Sequence, residues 1–467
     1  MRPSVIGPIF RIMHAWNDDA ARLADAVLDY ARSRLQLDPL PLDNTRPFAE
    51  LEKGAGATIT AEGLGGEEAL RIFADELAPA CITSSHPRFL AFIPCAPTQA
   101  SMLFDLVVGA SSMCGSNWLE AAGAVYAENQ ALRWIADLAN FPAGAGGTFV
   151  QGGTIANISA LVTARHAVRD RIGTDRSGSR RWAVAVSPDA HSSLDEAAVV
   201  MDIDLLVVDV DSERRLRGDA LAQTLDAVEA RGEQRVFAVV ASAGTTNLGV
   251  IDDLRSVGAV AAERGIWFHV DGAYGAAALA APSARPLFAG IELADSFIVD
   301  PHKWLFAPFD CAALVYREPK LARLTHAQHA SYLEPLEQSG EWNPSDYAIH
   351  LTRRARGLPF WFSLAAYGTD AYTRAIERTL EVARYTAKAV HNRDYLTLVR
   401  EPELSVVCFK RTGWARDDYY RWSCALRDSG VAFVTPTTHL GEVIARVAIV
   451  NPRTSESDID VVLDSMA

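Results

Sequence analysis

Between residues 99 and 358, short β-rich runs alternate with stretches of helical length, and this alternation limits the folds open to the chain. The β-type runs are Trp182–Ser187, Leu205–Val208, Val236–Ala241, Ile266–Val270 and Ser296–Val299. Asp219–Arg231 and Asp253–Arg264 lie between them and are amphipathic. Strands that alternate with helices form βα units, and βα units build a largely parallel sheet covered by helices. Cys311–Arg317 follows Pro308 too closely for a helical crossover, so it is expected as an antiparallel neighbour. Two flanking regions differ in texture. Residues 1–98 open with a helical pattern, Ala15 to Leu35, then a Pro/Gly-punctuated stretch from Asp38 to Gly66 that reads as an arm lying on something else. Residues 359–467 open with one long helical stretch, Phe360 to Asn392, followed by β-type runs at Leu404–Lys410 and Val443–Val450. The expected organisation is an N-terminal helical arm (1–98), a large α/β domain (99–358) and a small α+β domain (359–467). No internal repeat is present.

Composition narrows the function classes. The 467 residues are 49% hydrophobic and 22% charged, which suits globular structure and argues against disorder. Net charge is 44 − 58 = −14 without a basic cluster, so neither nucleic acid nor an anionic membrane is an expected partner. The six cysteines are scattered and form no CxxC, as expected of reduced thiols in a cytoplasmic protein. Met1 to Trp16 has no signal-type apolar core, and no apolar run reaches about 18 residues. The motifs of serine hydrolases, zincins, dinucleotide folds and NTPases are absent. His326-Ala327-Gln328-His329 has partial metal-ligand spacing but no acidic or cysteine ligand nearby, so no metal is expected and a solvated loop or helix is. Arg353, Arg354 and Arg356 are expected in interdomain salt bridges, and Phe360-Trp361-Phe362 in the core.

Chemistry-bearing residues fall where strands end. His191 follows the first of the runs above, Gly244-Thr245-Thr246 the third, Asp271 ends the fourth and Lys303 lies just beyond the fifth. Open parallel sheets place ligands at the carboxyl ends of their strands, so four such positions point to one site. Lys303 is open to two readings, a snorkelling surface residue or a functional amine. Asp271 follows Ile266-Trp267-Phe268 and precedes small residues, so it is expected to be buried. There it serves as a helix N-cap or as the partner of a cation. Together the acid and the lysine suggest pyridoxal phosphate, which needs a lysine for a Schiff base and an acid to keep its pyridine nitrogen protonated. Gln151-Gly152-Gly153-Thr154, opening the helical run Ile155–Arg169, would supply a phosphate cradle. The same tetrapeptide would serve equally as a turn and cap.

The sequence resembles the group II pyridoxal-phosphate decarboxylases, which include aromatic-L-amino-acid, histidine and glutamate decarboxylases. The resemblance is carried by His86-Pro87-Arg88-Phe89-Leu90-Ala91-Phe92-Ile93-Pro94, Gln151-Gly152-Gly153-Thr154-Ile155-Ala156-Asn157 and Ala190-His191-Ser192-Ser193. Gly244-Thr245-Thr246, His269-Val270-Asp271, Pro301-His302-Lys303-Trp304, Ser331-Tyr332-Leu333 and Arg353-Arg354-Ala355-Arg356 follow in family order. It implies a fold-type I enzyme that decarboxylates an L-amino acid to an amine. Lys303 would be the Schiff-base lysine, Asp271 the partner of the pyridinium nitrogen, and His191 would stack on the ring and help place the substrate carboxylate. Ala273 would lie against the ring, and Gly153, Thr154, Thr246, Asp300 and His302 would surround the phosphate or the lysine. Tyr332 matches the tyrosine that protonates the substrate carbon after carbon dioxide leaves. The substrate pocket would be walled by Phe92, Pro94, Cys95 and Ser116. The family's N-terminal arms interlock two subunits, which implies a homodimer with shared sites.

The departures from the family pattern bear on the substrate. Asp300 stands where animal aromatic decarboxylases carry Asn, and a carboxylate there would repel the phosphate unless protonated or turned away. Ser84 and Ser116 replace expected aromatics and Cys95 an expected Thr, so the wall is roomier and less aromatic. The alternative outcome within the family is a decarboxylation-dependent aldehyde synthase, which goes with loss of the loop tyrosine or the stacking histidine; Tyr332 and His191 are both present. A non-catalytic binding protein on the same fold would lack the lysine, and Lys303 is present.

Overall fold

Seven strands form one sheet: β1 (Gly146–Val150), β2 (Arg181–Val186), β3 (Asp204–Val207), β4 (Gln234–Ser242), β5 (Trp267–Asp271), β6 (Ser296–Val299) and β7 (Ala312–Tyr316). This is a computed structural model, and it describes residues 13–172, 180–331 and 340–467. The spatial order is β1-β7-β6-β5-β4-β2-β3. β3, β2, β4, β5 and β6 run parallel, and β7 is antiparallel to both β6 and β1. The expected α/β sheet and its antiparallel neighbour are therefore both present. Register sets Ser242 beside Asp271 and Asp271 beside Ile298, so the ends of three strands lie level.

The arm contributes α1 (Asp18–Gln36), α2 (Phe48–Ala55) and α3 (Gly66–Ile72). Asn17 caps α1 by accepting from the Ala20 amide, yet α1 buries none of its residues. Between α1 and α2, Leu42 is buried and packs with Phe89 and Ala91. Next come α4 (Gln99–Ser111), α5 (Trp118–Leu138), α6 (Gly153–Ile172), α7 (Ser193–Met201), α8 (Gly218–Arg231), α9 (Leu254–Arg264), α10 (Pro301–Trp304) and α11 (Pro319–His326). Successive strand residues face opposite sides, so each strand feeds two cores. Val184, Val186, Phe237 and Trp267 pack with Ile158 and Leu161 of α6 and Leu194 of α7. Val239, Phe268 and Val270 face the other way, against Leu221 of α8, Val257 of α9 and Ile135 of α5. Truncating a fully buried ring such as Phe268 to Ala costs about 3–5 kcal/mol in a core of this kind.

The remaining helices are α12 (Leu358–Tyr367), α13 (Thr369–His391), α14 (Arg416–Asp428) and α15 (Glu456–Asp464), with β8 (Leu396–Leu398), β9 (Val406–Arg411), β10 (Thr437–His439) and β11 (Glu442–Ala448). These strands form a separate antiparallel sheet in the order β10-β11-β9-β8. The single helix expected over Phe360–Asn392 is two helices. Gly368 takes φ +75°, a left-handed conformation that ends α12 and starts α13.

Two further expectations change. Arg353 makes a buried two-point pair with Glu128 at 2.8 and 2.9 Å, while Arg354 pairs with Asp105 and Arg356 with Asp310. All three partners lie within residues 99–358, so these arginines brace the large α/β region instead of bridging to the next one. His326 is not solvated: it is buried against Thr163 Oγ1 at 3.0 Å and the Ser159 carbonyl at 3.1 Å. Phe360 is fully buried, as expected of that aromatic cluster. Among the described residues no helix is long and apolar enough to cross a membrane, and no cluster of ligands could hold a metal ion.

Candidate active site

A cavity of about 430 Å³ opens at the carboxyl ends of the central strands. Its wall brings together His191 after β2, Gly244, Thr245 and Thr246 after β4, Asp271 ending β5, and Lys303 after β6. Gly153 and Thr154 at the start of α6, with Ala273, Asp300, His302 and Phe92, complete the sequence-predicted residues that line it. Pro94, Cys95 and Ser116 do not. Pro94 is buried, and its neighbour Ile93 lines the cavity instead. Cys95 is buried with Sγ donating to the Ala307 carbonyl at 2.8 Å, and Ser116 Oγ accepts from the Arg353 amide at 3.0 Å. Tyr332 lies outside the described residues.

The cradle follows from local sequence. β1 delivers the chain to Gly152-Gly153, and α6 begins at once, so the amides of Gly153, Thr154 and Ile155 have no intrahelical acceptor. A Cβ at Gly153 would meet Asp300 Oδ2 at 3.1 Å and Ala273 Cβ at 3.3 Å, a tight fit that glycine avoids. Gly244 holds φ +108°, and a Cβ there would approach Gly275 Cα to 2.9 Å. Across the cavity, His191 Nδ1 accepts from the Ser193 amide at 3.1 Å, which leaves Nε2 as the ring atom free to act.

Asp271 is 8% exposed. Its Oδ1 accepts from the Ala273 amide at 3.1 Å, and its Oδ2 from Asn157 Nδ2 at 2.9 Å. Asp271 is not a helix N-cap: the helix that follows is Gly275–Ala280 with Tyr274 at its cap position, and the bond to Ala273 closes a local turn. Each oxygen retains acceptor capacity toward the cavity. Lys303 Nζ lies 2.8 Å from Asp300 Oδ2, yet neither Asp300 oxygen receives an aligned hydrogen bond. The contact is an ion pair that leaves the amine able to turn away. His302 Nδ1 accepts from the Cys311 amide at 3.0 Å, and burial lowers its pKa.

Sequence reasoning assigned no role to several residues here. Asp189 lines the cavity and makes a two-point pair with Arg214 at 2.7 and 2.8 Å. Tyr274 also lines it. Its ring stacks on Trp304 at 5.2 Å, and its hydroxyl is 2.6 Å from Ser405 Oγ, tying β5 and α10 to the segment before β9. Arg446 is buried and donates to the carbonyls of Thr246 and Phe92. A cation within the apolar run Val443–Val450 was its sequence signal.

A lysine amine, an anchored carboxylate, unpaired helix-start amides and closely packed glycines fit a phosphorylated, ring-nitrogen cofactor with a reactive carbonyl. The family model of the pyridoxal-dependent decarboxylase conserved domain matches residues 65–412. The chain belongs to that family. It is a pyridoxal-phosphate-dependent amino acid decarboxylase. It is 27% identical to an aromatic-L-amino-acid decarboxylase of Bacillus atrophaeus, over 93% of this chain and 91% of that one. It is 30% identical to an L-2,4-diaminobutyrate decarboxylase of Rhizobium meliloti (strain 1021), over 91% and 84%. A crystal structure of Oryza sativa TDC with PLP and tryptamine has the same fold, with a TM-score of 0.89 at 23% identity over 97% and 98% of the two chains.

Proposed function

We propose that this decarboxylase converts an aromatic L-amino acid to the corresponding amine and carbon dioxide. The observation that carries the reading is the shared cavity of Lys303, Asp271 and His191, closed on one side by the Gly153-Thr154 helix start. Bound pyridoxal phosphate supplies the electron sink for cleavage of the bond between Cα and the carboxylate. In this reading the chain's own residues do the rest. Lys303 would hold the cofactor's reactive carbonyl carbon through Nζ. Asp271 keeps the proton on the ring nitrogen. Gly153, Thr154 and Thr246 hold the phosphate, and His302 packs beside them. Ala273 and His191 confine the ring, and His191 orients the substrate carboxylate so that the right bond breaks. Tyr332 then delivers a proton to Cα.

Charge supports an aromatic side chain over a diamino one. Asp271 and Asp300 belong to the cofactor positions, and the remaining acid of the cavity wall, Asp189, is already neutralised by Arg214. No unpaired carboxylate among the described lining residues would receive a second ammonium group. Phe92, 60% exposed at the mouth, offers an aromatic face instead. The test is a panel of L-amino acids, aromatic ones and 2,4-diaminobutyrate included, with amine, aldehyde and carbon dioxide all measured. Preference for the diamino acid would overturn the substrate assignment.

The same reading includes a homodimer with shared sites. Trp16 and Leu28 of the arm are exposed, as are Leu103 and Val107 on α4 and Tyr126 on α5, and such apolar surface calls for a partner. The three-part organisation 1–98, 99–358 and 359–467 fits this arrangement, with the arm reaching across. All six cysteines are free, in keeping with a cytoplasmic protein.

A further inference from the structure

Behind Asp271 a chain of buried hydrogen bonds crosses the α6 face of the sheet. Asn157 Nδ2 donates to Asp271 Oδ2 at 2.9 Å and to Ser193 Oγ at 2.9 Å. Asn157 Oδ1 is 2.9 Å from His269 Nε2, and His269 Nδ1 is 2.8 Å from Ser296 Oγ. Trp267 Nε1 donates to Ser296 Oγ at 2.9 Å. Asn157 is 1% exposed, and His269 and Ser296 are fully buried. Strand geometry makes the chain available: Trp267, His269 and Asp271 are alternate residues of β5 and share one face, and Asn157 is in the first turn of the helix packed on it.

The direction of each bond is fixed. An indole N–H can only donate, so Ser296 Oγ accepts from Trp267 and its own hydroxyl proton is free for His269 Nδ1. Turning the Asn157 amide over would set its carbonyl oxygen against the Asp271 carboxylate, so nitrogen faces Asp271 and oxygen faces His269. His269 must then carry its proton on Nε2. Burial holds its pKa down to about 4 despite the nearby Asp271, so the ring is neutral at pH 7 with Nδ1 as acceptor. From Ser296 through His269 and Asn157 the donors run toward Asp271, with the second Asn157 Nδ2 proton going to Ser193 Oγ.

We propose that Asn157 and His269 are positioning residues that fix Asp271 in one rotamer, its carboxylate facing the cofactor's ring nitrogen. The Asn157 donor on Oδ2 and the Ala273 amide on Oδ1 hold the carboxylate plane in place, so its remaining lone pairs face the cavity. The inference rests on the proposed pairing of Asp271 with the ring nitrogen. It acts only through that atom, and this makes it separable from packing.

The experiment measures binding of pyridoxal phosphate to the full-length apo-protein by equilibrium dialysis. It is repeated with the 1-deaza analogue, in which CH replaces the ring nitrogen. Asn157→Leu keeps the volume and removes the donor. Its dissociation constant for pyridoxal phosphate should rise at least about tenfold, the order expected for one hydrogen bond to a charged group, while that for the analogue changes less than about twofold. Asn157→Ala, which cannot clash, should show the same selectivity if the leucine variant does not fold, and His269→Phe should show it in part. Equal weakening for both cofactors, or none for either, overturns the relay. Asp271→Ala distinguishes the two levels. If it discriminates between cofactor and analogue but the Asn157 variants do not, the relay falls and the pairing stands; if it does not discriminate, both fall.

Discussion

Lys303 Nζ sits 2.8 Å from Oδ2 of Asp300, a carboxylate with no solvent exposure at the mouth of the glycine cradle. The pairing explains how an acid is tolerated where the phosphate-bearing end of the cofactor is proposed to lie. It also fixes where the amine starts from. Borohydride reduction of the holoenzyme should trap the cofactor on Lys303. The sequence has only four other lysines, Lys53, Lys320, Lys388 and Lys410, so peptide mapping is decisive. Lys303→Ala should bind the cofactor without a covalent link. A label on any other lysine would sink the assignment.

Asp271→Asn should cost far more in turnover than in folding. The amide still accepts from the Ala273 amide but carries no charge for the ring nitrogen. Loss of that ion pair should slow kcat/KM by about a thousandfold, roughly 4 kcal/mol of transition-state stabilisation. Thermal melting of the apo-protein should move by no more than about 4 °C. Near-normal turnover rules out the pairing.

Acid should weaken the fold through buried His326. Burial holds its pKa down to about 4, against about 6.5 in the unfolded chain. The unfolded state then binds the extra proton first, so stability present above pH 6.5 is lost as pH falls toward 4. At pH 5 the loss from this residue is about 2 kcal/mol. Asp252, pushed up to about 7 by burial, acts in the opposite direction over the same range, so the wild-type slope is a sum. The informative quantity is the difference: between pH 7 and pH 5, His326→Gln should gain about 2 kcal/mol of stability relative to wild type. An unchanged slope would mean that His326 is not held neutral.

The exposed apolar faces of the arm and α4 should be covered by a second copy. Sedimentation at micromolar concentration should give twice the 50.6 kDa chain mass. A fully active monomer would contradict a shared site.

The sheet and the cluster of residues lining the cavity were legible in the sequence for one reason: both follow from local pattern. Alternating runs give the parallel strands, and Asp271 and Lys303 announce themselves by standing at apolar strand ends. What was not legible depends on distant partners. His326 reads as solvated until Thr163 of α6 is seen against it. The carboxylate partners of Arg353 and Arg354 lie more than two hundred positions away. Gly368 was readable and passed over, since a glycine followed by Thr369-Asp370 is a stop and start signal within a helical run. The bond between Asn157 and His269 needed three dimensions, because 112 positions separate the two residues.

Tyr332 separates the two leading outcomes of the reaction. It lies outside the described residues, and its role rests on the family resemblance of Ser331-Tyr332-Leu333. After carbon dioxide leaves, Cα either takes a proton, giving an amine, or reacts with oxygen, giving aldehyde and ammonia. A phenol can supply the proton if its oxygen comes within about 3 Å of that carbon. His191 Nε2 also lines the cavity and can donate, so the two variants must be compared. Wild type should make mainly amine. Tyr332→Phe keeps the ring and removes the proton, so it should bind the cofactor normally and shift product toward aldehyde, with matching oxygen uptake. His191→Asn should instead lower the rate of carbon dioxide release, because the proposed role of that ring includes placing the carboxylate. If Tyr332 merely packs, phenylalanine leaves the amine-to-aldehyde ratio under air unchanged. If wild type itself makes mostly aldehyde, the protein is an aldehyde synthase, and the proton-donor role of Tyr332 is wrong.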